Sequence, residues 1–120
     1  PRCKVGILGM TFKENCPDIR NSKVIDMVRE FQSWGMQVVV SDPVADADEV
    51  LREYGISLQT INAAHPVDVL VVAVGHSAYR ALTPEQLKTF TRGTQPILAD
   101  IKSLYDRNAA AAAGFTVFRL

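Results

Sequence analysis

Five basic residues, Lys13, Arg20, Lys23, Lys102 and Arg107, are the side chains of this sequence best fitted to hold an anion. Arginine presents a flat fork of donors that matches phosphate and carboxylate, and lysine presents a compact point charge. Surface charges are ordinarily just solvated, so a plain loop role is the default for all five. Two other groupings bear on chemistry. Gly6 and Gly9 followed by Asp42 hint at a dinucleotide fingerprint, but the spacing is GxxG rather than GxGxxG. A lysine-bearing loop also replaces the tight turn into the helix, so close strand–helix packing is the default for both glycines. Cys16 would act as a nucleophile only beside a base and with a lowered pKa. His76 is the one credible base, and nothing in the sequence brings it to Cys16, so a bland loop cysteine is the default. His76 itself opens the segment HSAYR; a backbone-satisfied loop histidine is its default, with a ligand role kept open.

The elements that must position these residues alternate between strand and helix. Residues 4–10 (KVGILGM), 36–41 (MQVVVS), 67–74 (VDVLVVAV) and 96–101 (PILADI) are short apolar runs of the kind buried on both faces of a parallel sheet. Cys3 belongs to the first of these strands, and residues 115–120 give the last. A polar loop at 11–20, broken by Pro17, leads to a helix capped by Asn21 or Ser22. Val24, Met27, Val28 and Phe31 recur in that helix at helical spacing, and Gly35 ends it. A short acidic helix spans 46–54 and closes at Gly55. Thr83 caps another, with Pro84 in the first turn, Gln86 completing a capping box, and Leu82 and Leu87 stapling across it. Residues 108–113 form the last helix, ending at Gly114.

This alternation predicts an α/β fold: a three-layer sandwich around an open, mainly parallel, Rossmann-like sheet of five or six strands. With residues 56–58 as an edge strand the order is 3-2-1-4-5-6, which is the preferred expectation; with that segment as loop it is 2-1-3-4-5. Ligands of such sheets bind beyond the strands' carboxyl ends. Those ends carry residues 11–20, 42–43, 75–79 and 102–107, so the five basic residues face one rim. Trp34 and Phe31 near the end of the first helix pack the core or its rim by default; an exposed Trp34 marks a subunit or domain interface.

Composition bounds the rest. The 120 residues make one domain, 1–120, with 48% apolar and 22% charged residues. Thirteen basic residues balance thirteen acidic ones, which argues against a nucleic-acid or anionic-membrane coat. Cys3, Cys16, His65 and His76 assemble no zinc spacing, so no metal site is expected. No apolar run approaches the roughly 20 residues that span a bilayer. Two cysteines without a disulfide framework or signal peptide point to a reducing cytoplasm. The first residue is Pro1 and a strand follows almost at once, so the natural chain is expected to continue upstream.

The segment Gly9–Ser22, GMTFKENCPDIRNS, carries a resemblance. It is similar to the opening loop of the C-terminal, UDP-binding domain of the UDP-glucose/GDP-mannose dehydrogenase family, which reads roughly G-x-[ST/A]-F-K-x-x-x-x-D-x-R-x-S. Val38–Pro43, Val69–His76 and Asp100–Asp106 agree with the family's later stretches, so the resemblance covers nearly the whole chain. ENCPD, with Cys16 and Pro17, most resembles the branch that oxidises UDP-N-acetylhexosamines for bacterial surface polysaccharides, such as the Vi-antigen type.

The resemblance implies roles by position. Phe12 and Lys13 lie beside the bound UDP-sugar. Arg20 reaches the phosphates of NAD across the domain cleft. Lys102 contacts the nucleotide-sugar, often from a neighbouring subunit, and stands where several relatives have arginine; a forked contact becomes a point charge. The reaction implied is a four-electron oxidation of the sugar C6 alcohol to a carboxylate, giving a UDP-uronic acid with two NAD+ reduced. Its cysteine nucleophile and NAD-binding GxGxxG belong to the preceding part of the polypeptide, so no catalytic residue is expected here and this stretch alone is expected to be inactive. The partners implied are a UDP-sugar, the remainder of the polypeptide and further copies in a homo-oligomer, without nucleic acid or membrane. The competing reading is a free-standing α/β nucleotide-binding or regulatory module, such as a receiver-like or CoA-type domain. A receiver needs paired acids after the first strand and an acceptor aspartate after the third; here those ends read Gly9-Met10-Thr11 and Val74-Gly75-His76.

Overall fold

A computed structural model of the chain describes residues 3–119; Pro1, and Leu120 at the end of the expected last strand, lie outside the described residues. The elements run β1 (Lys4–Leu8), α1 (Val24–Ser33), β2 (Gln37–Ser41), α2 (Ala47–Tyr54), β3 (Val69–Val72), α3 (Ser77–Arg80), α4 (Pro84–Lys88), β4 (Ile97–Asp100), α5 (Arg107–Ala112) and β5 (Thr116–Arg119). All strand pairs are parallel, and the sheet order is β2-β1-β3-β4-β5. Cys3 precedes β1 and is exposed.

The preferred six-strand order is corrected to the five-strand alternative. Residues 56–58 form no strand. Ile56 and Leu58 instead cover one face of the sheet as partly buried side chains, and the only backbone bond this stretch passes to β2 comes from Gln59 N–H to the Val40 carbonyl at 2.8 Å among the described residues. A three-residue run with two apolar side chains was satisfied by covering a face rather than extending an edge.

Strand alternation separates two cores. Val5, Ile7, Val40 and Val71 meet Val24 and Val28 of α1 and Val50 of α2 on one face. Leu8, Val39, Leu70, Val72 and Leu98 meet Tyr79, Leu87 and Ala110 of α3, α4 and α5 on the other. The sheet is thus the middle of three layers, as expected.

Local signals explain the ends of several elements. Asp46 caps α2 by accepting from Asp48 and Glu49 N–H at 2.9 and 3.2 Å, and Gly55 closes it in the left-handed region at φ 69°. Thr83 and Gln86 make the expected capping box around Pro84. For α1 the cap position falls on Lys23, whose side chain makes no cap. Ser22 still accepts from Val24 N–H at 3.2 Å while donating to the Met10 carbonyl at 2.7 Å, so the helix start is tied to the end of β1. The last helix begins at Arg107, capped by Asp106, which accepts from Ala109 N–H at 2.9 Å.

Candidate functional site

The helices that follow β1 and β3 lie on opposite faces of the sheet, so the loops leaving these neighbouring strands diverge and open a crevice between them. A cleft of about 460 Å³ lies there, lined by residues 11–14, Lys23, Val24, Ala73, Val74, Gly75 and Lys102. Three lysines, Lys13, Lys23 and Lys102, therefore converge on one space, with Glu14 as the acidic member of the lining. The cleft meets the start of the ten-residue α1, where the helix dipole adds to the attraction for an anion. Phe12 stands at the cleft 60% exposed, an open aromatic face beside a cluster of cations.

Each lysine-bearing loop is held by a buried acid. At the end of β2, Asp42 accepts from Met10 and Thr11 N–H through Oδ2 at 2.6 and 3.2 Å, and from Val44 and Ala45 N–H through Oδ1 at 2.7 and 3.0 Å. Burial by itself would raise its carboxyl, but the Met10 amide, His76 and the Val44 and Ala45 amides outweigh that and hold it below the ordinary carboxylate range. At the end of β4, Asp100, 1% exposed, accepts from Leu104 and Tyr105 N–H at 3.0 and 2.9 Å. That wraps the chain around Lys102, with Ser103 in the left-handed region at φ 53°.

His76 lies fully buried where these loops meet. Its Nδ1 accepts from Asn15 N–H at 2.9 Å, and its Nε2 lies 3.0 Å from Asp42 Oδ2 and 3.2 Å from Thr11 Oγ1. Thr11 donates its own hydrogen to the Lys13 carbonyl at 2.9 Å. This network assigns the proton to Nε2 in a neutral ring. With both ring nitrogens engaged, His76 is not a base for Cys16, whose half-buried side chain remains a loop thiol.

The expected residues divide into two sets. Phe12, Lys13, Lys23 and Lys102 come together at the cleft; Arg20 and Arg107 do not line it. Arg20 is 83% exposed and folds back on Asp18, with Nε donating to Oδ1 and a terminal nitrogen donating to Oδ2, both at 3.0 Å. The guanidinium holds the Asp18 carboxyl below its ordinary range. Sequence reading missed Glu14, which reaches Arg80 at 3.6 Å. It also missed Asn15 and the pairing of His76 with Asp42; their separation of 34 positions left no local signal.

The dinucleotide hint does not hold. A Cβ on Gly6 would meet Ile61 and Val67 at 2.9 Å, and one on Gly9 would meet Val74 at 2.6 Å. Both glycines serve close packing, as expected, although their neighbours lie outside the helices. The Asp42 carboxylate is turned inward to backbone amides and leaves no face for a ribose. Among the described residues no cluster of histidine, cysteine and carboxylate could hold a metal, and no helix is long and apolar enough to cross a membrane.

An open parallel sheet with a basic cleft at the divergence of its central strands makes this a Rossmann-like α/β domain. Residues 6–107 match the model of the UDP-glucose/GDP-mannose dehydrogenase family, UDP binding domain, and the chain belongs to that family. It is 43% identical over 97 residues to the UDP-N-acetyl-D-glucosamine 6-dehydrogenase of Salmonella typhi, covering 80% of this chain and 22% of that protein. It is 37% identical over 105 residues to the enzyme of the same name from Pseudomonas aeruginosa, covering 88% and 25%. The crystal structure of NDP-N-acetyl-D-galactosaminuronic acid dehydrogenase from Methanosarcina mazei Go1 shares the fold at a TM-score of 0.86 and 23% identity, over 98% of this chain and 24% of that one. The chain thus spans about a quarter of the length of these relatives.

Proposed function

We propose that this chain is the nucleotide-sugar-holding domain of an NAD-dependent UDP-sugar 6-dehydrogenase that makes a UDP-uronic acid for surface polysaccharide. The convergence of Lys13, Lys23 and Lys102 on one cleft beside exposed Phe12 carries this reading. A diphosphate fits a trio of ammonium groups at a helix start, and a base fits an open aromatic face. Likeness to the Salmonella typhi and Pseudomonas aeruginosa enzymes favours a UDP-N-acetylhexosamine as the sugar donor.

In this reading the chain binds and orients while the reacting groups lie elsewhere in a longer polypeptide. Lys13 and Lys102 neutralise the nucleotide-sugar, and Phe12 borders it. NAD+, when bound, accepts hydride from the sugar carbon. The residues here do not form an NAD site of their own; the contribution assigned to this chain is Arg20, whose exposed guanidinium exchanges Asp18 for a phosphate of the cofactor. Exposed Trp34 suits contact with the rest of the polypeptide or with a second copy in a homo-oligomer. A reducing cytoplasm is the compartment that this reading and two free thiols imply.

The test is steady-state kinetics of Lys13→Ala, Lys102→Ala and Arg20→Ala in the full-length polypeptide, with UDP-sugar and NAD+ varied separately. A charge-assisted bond contributes about 1.5–3 kcal/mol, so each lysine variant should weaken UDP-sugar use roughly 10- to 100-fold. Arg20→Ala should raise KM for NAD+ and leave UDP binding nearly intact. Three unchanged profiles would sink the reading, because solvated surface charges contribute little.

A further inference from the structure

We infer that His76 and Asn15 form a latch that holds the Phe12–Lys13 loop in its binding shape, acting as positioning residues; the inference rests on the cleft's being the UDP site. Asn15 sits at the far end of the loop in the left-handed region, φ 57°, which asparagine tolerates better than other residues bearing a side chain. Three bonds fix it. Its N–H donates to His76 Nδ1 at 2.9 Å, its Nδ2 donates to Ser77 Oγ at 2.9 Å, and its Oδ1 accepts from Ser77 N–H at 2.9 Å. The loop is therefore stapled to the start of α3, on a different strand connection from its own.

The other end of the loop is fixed through the same ring. His76 Nε2 donates toward Asp42 Oδ2, which also receives the Met10 and Thr11 amides, and Thr11 Oγ1 lies beside it. One neutral imidazole thus bridges both ends of the turn that carries Phe12 and Lys13. Within that turn, Phe12 N–H donates to the Asp18 carbonyl at 2.7 Å and Cys16 N–H to the Lys13 carbonyl at 3.3 Å. Phe12 and Lys13 are exposed, so packing anchors them little. A loop whose working side chains are free must have its backbone ordered before ligand arrives, or binding bears the ordering cost.

The test measures UDP affinity by calorimetry and amide exchange of residues 11–16 in the full-length polypeptide. His76→Phe, which keeps a buried ring but loses both nitrogens, should weaken UDP by about tenfold and speed exchange of the loop. His76→Gln, whose amide can accept and donate as the neutral imidazole does, should return affinity to within about threefold of the unaltered protein. Asn15→Gly keeps the left-handed turn and loses only the Ser77 pairing; it should weaken UDP about threefold or more with little change in melting temperature, because Asn15 is exposed. A merely structural histidine predicts a lower folded fraction with unchanged affinity in what remains folded. Glutamine no better than phenylalanine, or Asn15→Gly and His76→Phe both matching the unaltered protein in affinity and exchange, would overturn the latch. Failure of the unaltered protein to bind UDP would overturn the cleft reading, and needs no variant to be seen.

Discussion

Asp42→Asn removes one acceptor oxygen from a buried carboxylate that takes two backbone amides on one oxygen and two more plus His76 on the other. The amide side chain can keep its oxygen toward Met10, Thr11 and His76 only by turning its NH2 against the Val44 and Ala45 N–H groups. Both of these residues are half-buried, so water partly relieves them. Taking the low end for each lost bond, about 1–1.5 kcal/mol, the variant should lose about 2–3 kcal/mol. For a chain of this size that is a fall of about 10 °C in melting temperature. The control is Asp46→Asn, the same chemical change at an exposed helix cap, where asparagine serves as well and little should change. Thermal and urea unfolding of the 120-residue chain, followed by circular dichroism, makes the comparison. The sign with pH follows from the depressed carboxyl. A group whose folded pKa lies below its unfolded value stabilises above about pH 4, and that stabilisation is lost as pH falls through the folded value. The gap between native chain and Asp42→Asn should therefore narrow in acid. A melting temperature within about 2 °C of the native chain at neutral pH would refute the view that this carboxylate organises the loops.

Two further outcomes are expected. Burial and then the nearby Asp100 push Tyr105 up to about 12, and burial and then Asp42 push Tyr79 upward. The folded state keeps these phenols neutral after the unfolded state begins to ionise, so the urea midpoint should fall as pH rises above about 10, less steeply in Tyr105→Phe; identical slopes would count against the assignment. Gly9→Ala combines φ 108° with a Cβ 2.6 Å from Val74 Cβ, whereas Gly93→Ala has φ 91° and nothing within 4 Å. Urea midpoints should show the first losing about 3 kcal/mol or more and the second about 1–2 kcal/mol, and equal losses would mean that Val74 yields freely.

What the sequence made legible was whatever is decided locally. Thr83, Pro84 and Gln86 announce a helix start because capping involves residues three apart, and Gly55 announces an end because glycine enters the left-handed region without strain. The parallel strands were legible as valine-rich runs. The sheet order was not, because residues 56–58 are too short for their periodicity to separate a strand from a face-covering loop. The four-residue α3 was missed for the same reason. At the cleft, the strand-end rule gathered Lys13, Lys23 and Lys102, which line it, and also Arg20 and Arg107, which do not. Which side chains turn in is set by contacts such as Asp18 with Arg20. The His76–Asp42–Asn15 network joins three different strand ends and has no signature along the chain.

The exposed Trp34 gives the chain a built-in optical label. It is the one tryptophan present, stands 62% exposed edge-on to Phe31 with ring centroids 5.9 Å apart, and follows the end of α1. Ten residues of helix carry it about 15 Å from the end of α1 that borders the cleft. An indole this exposed should emit much as it does in water, so occupation of the cleft should leave the colour of that emission almost untouched. A blue shift would instead record the moment another protein surface covers the far end of α1.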